Sequence, residues 1–76
     1  MTVNEFCKLL QDEFKETSEV TPESHFKEFA NYGSLSAVLM LQLVEDRFGV
    51  KLNPRGFRNI NTVNDLVDAI GEQNFD

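Results

Sequence analysis

The sequence predicts an all-α fold, a bundle of three main helices with one short helix inserted before the last. Two observations carry that prediction. Apolar residues recur at helical spacing in three separate stretches, and no stretch shows the apolar–polar alternation of a half-buried strand. Each helical stretch is also bounded by capping residues on one side and by glycine or a polar loop on the other.

The first helix is placed at residues 3–16. Thr2-Val3-Asn4-Glu5 has the spacing of a capping box, in which Thr2 and Glu5 satisfy each other's orphan amides. Val3, Phe6, Cys7, Leu10 and Phe14 then form one narrow apolar face, while Lys8, Gln11, Asp12, Lys15 and Glu16 fall largely on the other. Cys7 lies on the apolar face and reads as a buried small hydrophobe rather than a reactive thiol. The polar stretch Thr17 to Ser24, with Pro22, suits a connecting loop or the first position of a helical turn after Thr21, pinned to the core by Val20, Phe26 and Phe29. His25 is the only histidine and has no cysteine or second histidine at ligand spacing, so it is assigned to loop surface rather than to a metal or a catalytic triad.

The second helix is read as starting at Ser34, running through residues 35–48 and stopping at Gly49. Asn53-Pro54 opens a short third helix through Phe57, anchored by Phe57 and Ile60. Asn61-Thr62 caps the last helix, where Val63, Leu66, Val67 and Ile70 make an i, i+3, i+4, i+7 stripe that ends near Gly71. Gln73 to Asp76 is expected to fray.

Composition narrows the class. The chain has 76 residues, 41% apolar and 26% charged, which suits one folded domain over residues 1–76 held by packing alone. Its net charge of −6 argues against binding a phosphate backbone. No apolar run reaches the ~20 residues of a membrane span, no signal peptide is visible, and one cysteine allows no internal disulfide. A small cytoplasmic monomer is the expectation. Charge is segregated: residues 1–46 hold nine acidic and three basic residues, residues 47–76 four of each, with Arg47, Lys51, Arg55 and Arg58 clustered.

The second helix has more apolar residues than one buried face uses. On a wheel of about 100° per residue, Ala37, Met40, Leu41, Val44 and Phe48 gather on the core arc. Gln42, Glu45 and Asp46 mark the outer arc, yet Leu35, Val38 and Leu39 fall there too, beside Ser34. Either a neighbouring loop covers them through Phe29 or Tyr32, or they form a partner surface. Ser34 has no nearby base in sequence and no nucleophile-elbow surroundings, so it reads as an acceptor modified by another enzyme rather than a catalyst. A helix N-terminus accommodates a phosphodiester at such a hydroxyl.

These residues resemble the acyl carrier protein family, including its peptidyl and aminoacyl carrier relatives. The markers are Gly33-Ser34-Leu35 at the family's Asp-Ser-Leu site, Val38 through Glu45-Asp46-Arg47-Phe48-Gly49-Val50, and Ile60-Asn61-Thr62-Val63 with Asp65-Leu66-Val67. The resemblance implies an acyl-carrier-like bundle and a non-enzymatic function. Ser34 would bear a covalent 4′-phosphopantetheine arm, donated by coenzyme A through a phosphopantetheinyl transferase. The arm would carry acyl or aminoacyl groups as thioesters between loading and acyl-using enzymes, in a pathway of the lipid or secondary-metabolite type. Leu35, Val38, Leu39, Gln42, Glu45 and Asp46 would form the docking face.

The sequence departs from the family at Gly33, which replaces an aspartate associated with transferase recognition. Ser36 and Leu39 stand where fatty-acid carriers are acidic, and Arg47, Lys51, Arg55 and Arg58 replace the acidic character that usually follows the second helix. These changes point to a specialised carrier with a more apolar docking face. The alternative is an interaction module that keeps the carrier fold without the arm. An independent enzyme ranks behind both, for want of paired carboxylates, a metal cluster or a nucleotide loop.

Overall fold

Phe6, Leu10, Phe26, Met40, Val44, Val63 and Leu66 are fully buried at the centre of a bundle formed by α1 (Val3–Phe14), α2 (Ser36–Phe48) and α3 (Val63–Ile70). The computed structural model describes residues 1–76. At roughly 1.5–3 kcal/mol for each large apolar side chain buried, this shared core is the main source of stability for three short helices. No helix is long and apolar enough to cross a membrane.

The capping box at the start of α1 forms as the sequence predicts. Thr2 Oγ1 accepts from the Glu5 amide at 3.0 Å, and Glu5 Oε1 accepts from the Thr2 amide at 2.8 Å. The helix ends at Phe14, two residues before the expected boundary, because Lys15 adopts a left-handed conformation with φ 50°. The Lys15 and Glu16 amides then turn back onto the Asp12 and Gln11 carbonyls, and Asn31 Nδ2 donates to the Phe14 carbonyl at 2.9 Å. Carbonyls orphaned by the helix end are thereby satisfied.

The loop after α1 is stapled to α3. Ser24 and Pro22 carbonyls accept from the Val63 and Asn64 amides at 3.0 and 2.8 Å, and His25 and Thr62 form an isolated antiparallel bridge. Val20 and Phe26 are buried and Phe29 is half-buried, as their assignment to the core requires. A 3-10 turn at Phe26–Glu28, absent from the sequence reading, delivers Phe26.

Gly49 closes α2 with φ 68°, a conformation that glycine adopts without a Cβ penalty. The expected short helix takes the form of a 3-10 turn, Gly56–Asn59, so the bundle has three α-helices rather than four. Asn53 Oδ1 accepts from the Arg55 amide at 2.8 Å and initiates this turn; Phe57 is buried and Ile60 half-buried. At α3, Thr62 and Asp65 repeat the capping box of α1.

The C-terminal residues do not fray. A 3-10 turn spans Glu72–Asn74, Asn74 Nδ2 donates to the Ile70 carbonyl at 2.9 Å, and the Phe75 ring packs on Phe6 and Phe48. The stripe of α3 stops at Ile70, and a lone aromatic five residues later carries no periodic signal. Periodicity alone therefore does not place the tail.

Candidate functional site

The site is built by a reverse turn at the entrance to α2. The Ser36 amide donates to the Gly33 carbonyl at 3.0 Å, and the Gly33 amide donates to Ser36 Oγ at 2.7 Å. Ser34 and Leu35 occupy the tip, with Leu35 at φ −94° and ψ −5°, as at the third position of a type I turn. The Leu39 amide then donates to the Leu35 carbonyl and the helix begins.

This geometry shifts the role first expected of Ser34. Leu35, not Ser34, holds the N-cap position, and no side chain caps α2. The Ser34 hydroxyl is exposed and has no intramolecular partner. Ser36 is 6% exposed and its oxygen is committed to the Gly33 amide, so Ser34 is the accessible hydroxyl of the pair. Sequence pattern places only a helix start at Ser34; the turn itself rests on the Gly33–Ser36 hydrogen bonds.

The approach to the turn is anchored. Tyr32 packs against Phe14 and Phe26, with ring centroids 5.7 and 6.0 Å apart, and burial raises the pKa of its phenol. Gly33 has an ordinary φ, and a Cβ placed there would meet no atom within 4 Å. A side chain at position 33 is therefore sterically permitted.

Leu35, Val38 and Leu39 are 72%, 63% and 64% exposed. Phe29 and Tyr32 do not cover them, because both rings pack on Phe14 instead. Gln42, Glu45 and Asp46 continue the exposed strip, with Gln42 Nε2 donating to Asp46 Oδ1 at 2.9 Å. All six residues of the expected docking face thus lie on one exposed side of α2 and its N-cap, with Leu35, Val38 and Leu39 at the Ser34 end. Met40 and Val44 are buried on the other side, with Ala37, Leu41 and Phe48 half-buried. A cleft of about 220 Å³ opens between the end of α1 and the first half of α2, lined by Phe14, Ser36, Leu39, Met40 and Leu43 among others. Leu43 was not part of the expected core arc; it lies where α2 faces this cleft.

Electrostatically, α2 differs from its neighbours. Capping boxes with an acidic side chain neutralise the first turns of α1 and α3, whereas α2 has no acidic residue in its first turn. Its positive end is left open beside Ser34, a setting that favours a phosphate ester. No base is hydrogen-bonded to Ser34, so the site presents an acceptor oxygen and no catalytic pair. His25 is exposed and lies beside Glu28 at 3.9 Å, and no group of three potential metal ligands is assembled anywhere in the chain. Cys7 is buried, and burial raises its thiol pKa, as expected of a packing cysteine.

The sequence matches known proteins over most of its length. A family model described as a phosphopantetheine attachment site matches residues 4–70. An acyl carrier protein of Myxococcus xanthus is 38% identical over 55 residues, covering 72% of this chain and 70% of the relative. Those of Micrococcus luteus and Acidothermus cellulolyticus are 38% and 39% identical, covering 72% and 71% of this chain and 68% and 64% of the respective relatives. No solved structure gives a significant match.

Proposed function

Because the chain belongs to the acyl carrier protein family, whose members bear a covalent 4′-phosphopantetheine and act as carriers rather than catalysts, we propose that Ser34 is the attachment point. The single observation that carries the assignment is the exposed, unpartnered Ser34 hydroxyl at the uncapped entrance to α2. Gly33 and Ser36 hold the turn that presents it, and the open helix end favours the phosphodiester. The attached arm supplies a terminal thiol that holds acyl or aminoacyl groups as thioesters.

In this reading the chain is a single carrier domain working as a cytoplasmic monomer. A phosphopantetheinyl transferase and acyl-loading and acyl-using enzymes meet Leu35, Val38, Leu39, Gln42, Glu45 and Asp46 in turn. The apolar composition of that face supports a specialised pathway, of lipid or secondary-metabolite type, over bulk fatty-acid synthesis. Ser34 contributes only its oxygen to arm attachment; the base that takes its proton belongs to the transferase.

Co-expression with a broad-specificity transferase should add one phosphopantetheine to the intact mass. Ser34→Ala should abolish the addition while leaving the helical circular dichroism unchanged. Full modification of Ser34→Ala would refute the site. Gly33 supports a second reading, a carrier-fold interaction module that no transferase modifies. Absence of any mass gain, together with a stable complex weakened by Leu39→Glu, would favour it.

A further inference from the structure

The cleft of about 220 Å³ lies on the flank of α2 that faces the end of α1. Its floor is apolar: Phe14 and Met40 are buried, Leu43 is half-buried, and the exposed Leu39 forms one wall. Its rim is polar and unpaired. Asn31 spends its Nδ2 on the Phe14 carbonyl, which leaves its side-chain oxygen free to accept a hydrogen bond. Lys15, held left-handed at the end of α1, is exposed and joins no ion pair, and Glu13 stands at the same rim. Opposite charges at one rim give no net attraction for an ion, so the cleft suits a neutral, amide-bearing chain better than a phosphate or a free carboxylate.

We infer that this cleft seats the phosphopantetheine arm itself, rather than the cargo at its end; the inference rests on attachment at Ser34. Ser36, two residues from Ser34, lines the cleft near the attachment point, and Leu43 lines it further along α2. From Ser36 to Leu43 the helix advances about 10 Å at a rise of 1.5 Å per residue. Between its phosphate and its thiol the arm has the backbone length of about four extended residues, roughly 14 Å. The cleft therefore falls within the span of the arm, and anything held on the thiol begins beyond it. The methyl and methylene groups of the arm match the apolar floor. Its two amides match Asn31 Oδ1 as acceptor and Lys15 Nζ as donor.

Tethering decides between this occupant and a free one. Sites for free drug-sized ligands span roughly 300–1,000 Å³, larger than this cleft. A group tied at Ser34 is present at an effective concentration on the order of millimolar, so even millimolar intrinsic affinity fills the cleft about half the time. The other cavity, about 380 Å³ between α1 and the loop after it, is lined mostly by polar side chains and by no residue of α2, so it does not adjoin the root of the arm. Leu39 belongs both to the wall of the cleft and to the exposed strip beside Ser34. A protein that covers Leu39 therefore also takes one wall from the seat.

The test is nuclear magnetic resonance of the transferase-modified protein, with isotope-labelled methyl groups, an unlabelled arm and no cargo on the thiol. Nuclear Overhauser contacts should join arm protons to the methyls of Leu39, Met40 and Leu43. They should be absent at Ala37 and Leu41, which are half-buried and do not line the cleft. Leu43→Gln should cut the arm contacts at Met40 roughly threefold or more, as should Leu39→Ser at the exposed wall, where the core is untouched. The intact mass of the same sample reports attachment separately. A mass gain without arm contacts, contacts at Ala37 and Leu41 instead, or Met40 contacts that survive both substitutions would overturn the seat and leave Ser34 as the attachment point. No mass gain would remove the Ser34 assignment and the seat with it.

Discussion

The Ser36 hydroxyl oxygen lies 2.7 Å from the Gly33 amide and accepts its hydrogen, and this bond separates two serines that look interchangeable in sequence. One is consumed in closing the turn; the other, Ser34, remains accessible at its tip. Ser36→Ala should therefore affect stability where Ser34→Ala does not. Loss of one part-buried hydrogen bond costs about 1 kcal/mol, and for a domain of this size that is a fall in Tm of roughly 4–8 °C. Thermal denaturation of the two alanine variants tests it: an equal effect at both positions would contradict the turn geometry.

Gly33 is open to a side chain, which allows the departure from the family motif to be reversed. Gly33→Asp should fold normally, because its φ is ordinary and a Cβ there meets nothing within 4 Å. Loss of glycine's unfolded-state freedom adds about 0.4–1 kcal/mol, and a carboxylate near the uncapped N-terminus of α2 adds roughly 0.3–1 kcal/mol. A higher urea midpoint is expected. If aspartate contributes to transferase recognition, the same variant should be modified faster than the parent, as followed by mass against time.

Much of this arrangement is legible from residue pattern, and all but one of the exceptions share a cause. The capping residues Thr2 and Thr62, the stop at Gly49, and the split of α2 between Met40 and Val44 on one side and Leu35, Val38 and Leu39 on the other follow from local periodicity and cap chemistry. The misplaced features depend on contacts distant in sequence. Lys15 turns left-handed where Asn31, on another segment, takes the Phe14 carbonyl. Phe75 is held by Phe6 and Phe48, and Lys27 reaches Phe57 across the fold. Ser36 is the one local exception: its side chain bonds back to Gly33, three residues earlier and before the helix, where helical periodicity carries no sign of it.

Acid should weaken the protein through its two capping boxes. Asp65 accepts from the Asn61 and Thr62 amides, and these bonds hold its pKa below the ordinary value; Glu5 is lowered chiefly by its bond with the Thr2 amide. A carboxylate depressed in the folded state stabilises fully above its unfolded pKa, and that contribution disappears as pH falls through the folded value. The urea midpoint should therefore hold steady near neutrality and decline below about pH 4. Asp65→Asn, already uncharged, should start lower at pH 7 and lose less on acidification. A midpoint for Asp65→Asn that falls as steeply as the parent's would remove this capping box as a cause.

The tail offers the sharpest contrast between pattern and packing. Phe75 lies 5.5 Å from the Phe6 centroid and 4.9 Å from the Phe48 centroid, and Phe6 and Phe48 are themselves 5.6 Å apart in an edge-on arrangement. The three rings join α1, the end of α2 and the segment after α3, so Phe75 closes the bundle at the end of α2 away from Ser34. Aromatic pairs are worth about 0.5–1.5 kcal/mol beyond area burial. Full truncation of a core phenylalanine costs roughly 3–5 kcal/mol. Phe75 is half-buried, so Phe75→Ala should fall below that range, at about 1–3 kcal/mol, whereas Phe6→Ala at the fully buried ring should reach it. Chemical denaturation of both variants measures the difference, and amide exchange reports where it acts. Protection in Phe75→Ala should drop first at Glu72 to Phe75 and in the last turn of α2, with the Gly33–Ser36 turn retained. Unchanged stability would mean that the tail is held by its hydrogen bonds rather than by this aromatic contact.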